Sequence, residues 1–390
     1  MFSSRLDWGA APNRLALALE RLRRGGARIL DLTESNPTRA RIGYPAAEVL
    51  GALSDPRSLV YEPSPAGDAE ARAAVSRYYA RRGIEVEPAR ILLTASTSES
   101  YGFLFKLLCD PGDEVLVPRP SYPLFEFLAG LESVRIRHYP LSYHGRWWLD
   151  ISEVSAAVTP RTRAVIVVNP NNPTGSFLKR GERDALARLA REKQLAIVSD
   201  EVFSDFAFGP DPGRAATLAD LDEAPAFALS GLSKIAGLPQ MKLGWVVIAG
   251  PGDFRAQARE RLEWIADTYL SVSTPVQHAT PRLIELGPAI RERIAARTSG
   301  NLAALRSLMA AAPAGEILDL EGGWYATLRV PRTRGEEEWA MDLLERDGVL
   351  VQPGYFYDFE SGAHLVLSLL TAPEIFREGA GRLAARLERA

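Results

Sequence analysis

The chain is poor in the side chains that build disulfides, metal sites and membrane spans. It has one cysteine, Cys109, and four histidines in 390 residues. One thiol cannot close an internal disulfide, which excludes a stapled scaffold and fits a reducing compartment. So few sulfur and imidazole ligands leave no dedicated zinc site to expect. No apolar run approaches the ~18 residues a membrane helix needs. The opening MFSSRLDWGAAPNR holds no apolar core for a signal peptide. Neither sign of charge prevails, since 46 basic against 49 acidic residues leave a net charge of −3. That balance offers no electrostatic footprint for nucleic acid and no pull toward an anionic membrane. These absences predict a cytoplasmic protein with small-molecule partners. Lysine is scarce too, at positions 106, 179, 193, 234 and 242 only, so few residues can carry lysine chemistry.

What is present is an ordinary globular balance, 46% hydrophobic and 24% charged. The length predicts two or three domains, or one large and one small. Short runs rich in Val, Ile and Leu, bounded by Gly, Pro or Asp, predict strands at 90–95, 114–117, 134–139, 164–168, 195–198, 227–229 and 243–249. Helical spacing between them predicts helices at 97–108, 152–158 and 180–194. Such alternation predicts an α/β fold, a mainly parallel seven-stranded sheet covered by helices on both faces. Beyond residue 252 the pattern changes to helices at 251–266, 274–286 and 288–312. Short strands follow near 316–318, 324–330, 349–351 and 364–369, with a last helix from Pro373. That reads as a smaller α+β domain joined by the apolar stretch 29–32. We therefore expect a large domain over 49–286 and a small one over 1–48 and 287–390.

Ligands of open α/β sheets bind beyond the carboxyl ends of the strands, so the residues just past each strand carry the chemistry. Ser96, Thr97 and Ser98 open a helix and offer hydroxyls and free N–H groups to a phosphate. Asn169-Pro170-Asn171-Asn172-Pro173-Thr174-Gly175 is a rigid turn presenting amides. Ser199-Asp200-Glu201 ends a buried strand in carboxylates that need a cation. Ser230-Gly231-Leu232-Ser233-Lys234 sets a lysine among small residues, where partial burial makes an amine nucleophilic. A phosphate cradle, an amide turn, a buried acid and a reactive lysine together match pyridoxal 5′-phosphate.

With Asn171–Gly175 (NNPTG), Asp200-Glu201-Val202, Gly231–Lys234 (GLSK), Pro118–Pro123 (PRPSYP) and Tyr61 with Gly67, the chain resembles the class I/II, fold type I, pyridoxal-phosphate-dependent aminotransferases over nearly its whole length. The resemblance implies that Lys234 is the Schiff-base lysine and proton shuttle, and that Asp200 pairs with the pyridine N–H. It implies that Asn172 reaches the phenolic oxygen, that Tyr122 stacks on the ring, and that Ser96, Thr97, Ser98 and Ser233 hold the phosphate. Tyr61 then reaches the phosphate of a second subunit, which implies a homodimer with shared sites. Ser35 and Asn36, in Ser35-Asn36-Pro37, resemble the family's loop beside the substrate.

Three positions depart from the family. Phe203 stands where a Tyr is usual, and Lys242 where an Arg binds phosphate. Val366 stands at the Arg that clamps the substrate carboxylate. Arg39, Arg41, Arg329 and Arg377 are candidate replacements for that clamp. The implied activity is amino-group exchange between an amino acid and a 2-oxo acid. A carbon–sulfur lyase of the same fold shares the cofactor motifs. A PLP-sensing regulator needs a DNA-binding helix-turn-helix, for which the stretch before Thr33 is too short.

Overall fold

A computed structural model of the chain describes residues 2–6, 8–9 and 12–389. Its centre is an eight-stranded sheet in the order Ile91–Thr94, Gly244–Ala249, Ala226–Gly231, Ala196–Asp200, Thr162–Val168, Glu114–Arg119, Arg135–Tyr143 and Trp147–Leu149. The strands run parallel except Gly244–Ala249 and the short edge strand Trp147–Leu149. The seven expected strands are all present. The eighth, Trp147–Leu149, is three residues long and lacks a periodic signature. Every residue of Ala196–Asp200, Ala226–Gly231 and Gly244–Ala249 is buried, as strands covered on both faces must be.

Helices start where side chains satisfy their free N–H groups. Asp68 accepts from Ala71 N–H at 2.8 Å to open Ala69–Ala80, and Ser96 accepts from Glu99 N–H at 3.2 Å to open Thr97–Leu108. The expected break near residue 287 does not occur. Thr274–Met309 is one helix with Pro281 and Pro288 inside it. Each interior proline costs about 3 kcal/mol. Burial of Leu283, Ile284, Ile290 and Ile294 offsets this by tying the helix to the body of the protein. Gly287 lets the helix ride close behind the lysine segment, because a Cβ there would lie 2.9 Å from the Ile235 carbonyl.

A four-stranded antiparallel sheet follows, in the order Glu316–Ile317, Tyr325–Arg329, His364–Ser368 and Gln352–Pro353. Leu30–Asp31 pairs in parallel with Val349–Leu350, so the N-terminal stretch does join this region. One apolar cluster holds it together, built from Leu15, Leu30 and Leu32 with Leu305, Trp339, Leu365, Leu367 and Phe376. Trp339 is fully enclosed and its indole N–H donates to the Pro331 carbonyl at 3.0 Å. We predict that Trp339→Ala lowers the unfolding free energy by about 3–5 kcal/mol. Urea unfolding of the cofactor-free protein checks it, and a loss under about 1 kcal/mol would contradict the packing.

Candidate active site

The carboxyl ends of the parallel strands open into one cavity of ≈ 350 Å³. Ser35, Ser96, Thr97, Ser98, Tyr122, Asn172, Asp200, Ser233, Lys234 and Lys242 all line it. Two expected residues do not. Asn36 turns its Oδ1 to the Thr38 N–H at 3.0 Å and the Thr38 hydroxyl at 2.7 Å, shaping its own loop. Tyr61 lies 74% exposed on another surface, beside Leu270 and Gln277.

Strand alternation separates the two carboxylates of Asp200-Glu201. Glu201 points away and is satisfied by the Thr217 hydroxyl at 2.6 Å, the Leu218 N–H at 2.7 Å and the Ser199 hydroxyl at 2.9 Å. Asp200 faces the cavity. It accepts from the Tyr101 hydroxyl at 3.1 Å and from Val202 N–H at 3.2 Å. Burial pushes its pKa up to about 6, against the opposing pull of these donors and of Lys234. Lys234 moves the other way. Burial brings its amine down to about 8, while the Asp200 charge acts to raise it. Its Nζ sits 4.8 Å from the Trp324 ring centroid and 5.2 Å from that of Phe203. Phe203 thus turns an aromatic ring toward the amine where the resemblance implies a hydroxyl.

Among the three asparagines of the turn, two are spent on structure. Asn169 bonds Leu178 N–H and the Ala215 carbonyl, and Asn171 takes the Thr174 hydroxyl at 2.9 Å. Asn172 Oδ1 is buried without a partner among the described residues, so this amide is the one left for a ligand. Gly175 locks the turn in place. It has φ +71°, and a Cβ there would lie 2.5 Å from the Gly322 carbonyl. That close approach docks the turn on Gly322-Gly323, the segment that carries Tyr325 to the cavity and Trp324 to Lys234.

At the helix start Ser96 caps the backbone, leaving Thr97 and Ser98 with hydroxyls facing the cavity. Gly244 sits under them, and a Cβ there would come within 3.2 Å of Thr97 N. Lys242 is exposed at the rim in a left-handed conformation, φ 51°. None of Arg39, Arg41, Arg329 and Arg377 lines the cavity. Arg41 pairs with Glu374 and Arg329 with Glu316. Val366 is buried between Thr327 and Gln352. Sequence reasoning missed Tyr101, Trp324 and Tyr325. Tyr101 lies one turn inside the Ser96–Ser98 helix, a spacing that could have found it. Trp324-Tyr325 follow a Gly-Gly pair, a weaker signal.

A family model described as aminotransferase class I and II matches residues 29–375. The glutamate-pyruvate aminotransferase AlaA of Escherichia coli K12 is 27% identical over 367 residues, covering 91% of this chain and 89% of that protein. An alanine aminotransferase of Mycobacterium bovis is 28% identical over 365 residues, covering 90% and 83%. A solved aminotransferase structure from E. coli superposes with a TM-score of 0.87 at 25% identity, over 99% of this chain and 98% of that one.

In the cofactor-free protein we predict that acylation of Lys234 by acetic anhydride, followed by mass spectrometry, rises with pH to a midpoint of about 8. Asp200→Asn removes the negative charge that favours the ammonium, so the midpoint moves lower. A midpoint near 10.5 in the parent protein would contradict the desolvation of this amine.

Proposed function

This chain belongs to the class I and II aminotransferase family and exchanges an amino group between an amino acid and a 2-oxo acid; we propose that it does so on pyridoxal phosphate bound at Lys234, with L-alanine and pyruvate as one substrate pair. The observation that carries the site assignment is Lys234 set against Asp200 at one cavity wall, with its amine shifted toward neutrality. The residues present fit the cofactor. The Asn172 Oδ1 is buried and unpartnered among the described residues, a Cβ at Gly244 would press on the Ser96–Thr97 backbone, and a lone carboxylate faces the cavity. The names of both relatives support the alanine–pyruvate pair, and they favour group exchange over the lyase reading.

When bound, the cofactor supplies an aldehyde to take up the amino group and a ring to draw electrons from the substrate Cα. The protein's own groups do the rest. Thr97, Ser98 and Ser233 would hold the phosphate by hydroxyl and backbone donors, and Lys242 would add a point charge without an arginine's fork. Asp200 is ionised above pH of about 6 and keeps a facing N–H protonated. Tyr101 and Val202 fix its orientation. Tyr122 supplies a stacking face. Lys234 Nζ would take and hold the proton of the substrate Cα, a task for an amine whose pKa burial brings down to about 8. With Val366 at the clamp position, Ser35 and Asn172 meet the substrate, while Asn36 shapes the loop that carries Ser35. Neutral donors bind a carboxylate less strongly than an arginine does.

The same reading takes 49–286 as the cofactor domain and 1–48 with 287–390 as the small domain, the boundary falling inside Thr274–Met309. The separate apolar clusters support it. It also makes the protein a homodimer. Leu59, Val60, Tyr61, Trp264 and Tyr269 are all exposed, an apolar surface suited to a second copy. Across it Tyr61 reaches the neighbouring phosphate. No helix among the described residues is long and apolar enough to cross a membrane, and we place the protein in the cytoplasm.

Cofactor-loaded protein given L-alanine and 2-oxoglutarate is expected to form pyruvate and glutamate in equal amounts. Ammonia and pyruvate released from L-cysteine, with no exchange on L-alanine, would instead identify the lyase. Lys234→Ala is expected to cut kcat by roughly 10²–10⁴-fold or more and to abolish the visible absorbance of bound cofactor. Sedimentation should show a dimer, and Leu59→Glu combined with Trp264→Glu should yield an inactive monomer. An active monomer would refute the shared site.

A further inference from the structure

A second cavity, of ≈ 230 Å³, lies between the end of Glu114–Arg119 and the small antiparallel sheet. Three guanidiniums line it, those of Arg119, Arg329 and Arg332, against the single carboxylate of Glu360. Two of the cations are held in place. Arg119 pairs with Glu360 at 2.6 Å, and Arg329 pairs with Glu316. Arg332 is exposed and has no ion pair among the described residues. The walls include Trp147 and Phe359, whose rings meet edge to face at 6.2 Å. Tyr143 accepts from the Asp319 N–H at 3.0 Å, which leaves its own hydroxyl proton to donate. None of these side chains belongs to the catalytic cavity.

Glu360 and Glu316 neutralise two of the three cations, and the remaining positive charge of Arg332 beside partly apolar walls attracts anions. A guanidinium matches a carboxylate in two-point geometry, and aromatic walls suit a flat apolar body. We propose that this cavity binds a small organic carboxylate with a flat apolar body, with Arg332 as its free anion contact. The two cavities share structural members. Tyr325 and Arg329 lie on one face of the same strand, about 13 Å apart at ~3.3 Å per residue. Pro120 lines the second cavity and Tyr122 the catalytic one. The carboxylate is therefore either a second molecule, acting on the active site through the Arg119–Tyr122 segment, or the far end of an extended substrate.

The test is calorimetric titration of the holoenzyme with phenylacetate, which has no amino or oxo group to exchange. Saturable binding to the wild type is expected, weakened roughly tenfold or more in Arg332→Ala. That variant should keep the parent melting temperature and alanine turnover. Repeating the titration in saturating L-alanine with pyruvate, an exchange with no net heat, separates the two sources. Arg332-dependent binding that persists identifies a second molecule, and binding that disappears identifies the far end of the substrate path. No saturable binding to the wild type would overturn the assignment. So would undiminished affinity in both Arg332→Ala and Arg119→Ala.

Discussion

Two ionisable groups drawn out of water at the edge of one sheet govern the rest of this protein. Asp200 and Lys234 end neighbouring segments of the parallel sheet, and burial pushes each toward its neutral form. Each opposes the shift of the other, so the carboxyl settles at about 6 and the amine at about 8. Two buried opposite charges with no direct salt bridge between them among the described residues are no gain over apolar packing of the same volume. Their retention at a strand end, in a cavity, points to chemistry. A fully solvated lysine stays protonated at neutral pH, and a fully solvated aspartate makes a weak partner for a ring nitrogen.

The surroundings maintain that balance. Tyr101 and the Val202 N–H hold Asp200. Behind Lys234 the helix Thr274–Met309 closes the back of the site, with Arg291 donating to the Ile235 carbonyl at 2.5 Å. In front, Trp324 and Phe203 face the amine with aromatic rings, which tolerate a cation without adding a hydrogen bond. The Gly175–Gly322 approach makes this possible, because it fixes the small sheet against the asparagine turn.

The three departures from the family have a common consequence. Where the resemblance implies Tyr, Arg and Arg, the chain has Phe203, Lys242 and Val366, each a weaker or apolar partner. Val366 sits in the strand His364–Ser368, whose Leu365 and Leu367 enter the apolar cluster behind the small sheet while Val366 turns the other way. The strand itself is held by Ser368, whose N–H donates to the Leu32 carbonyl at 2.7 Å. Among the arginines near the small sheet, Arg119, Arg329 and Arg332 gather instead at the adjacent cavity.

Much of this was legible in the linear order of residues. Buried central strands read clearly because each is a continuous apolar run, and the motifs after them read clearly because turn and cap chemistry is local. Lys234, Asp200 and Asn172 are all of this kind. The edge strand Trp147–Leu149 was too short to show a period. The unbroken helix through Pro281 and Pro288 was hidden because tertiary burial outweighed a local propensity. Tyr101, Trp324 and Tyr325 join the site only after distant segments pack, as do the gathered arginines. Local order specified which groups could do chemistry. Their pKa values, their free or spent hydrogen bonds and the absence of an arginine from the catalytic cavity came from packing, since desolvation and contact are properties of neighbours remote in the chain.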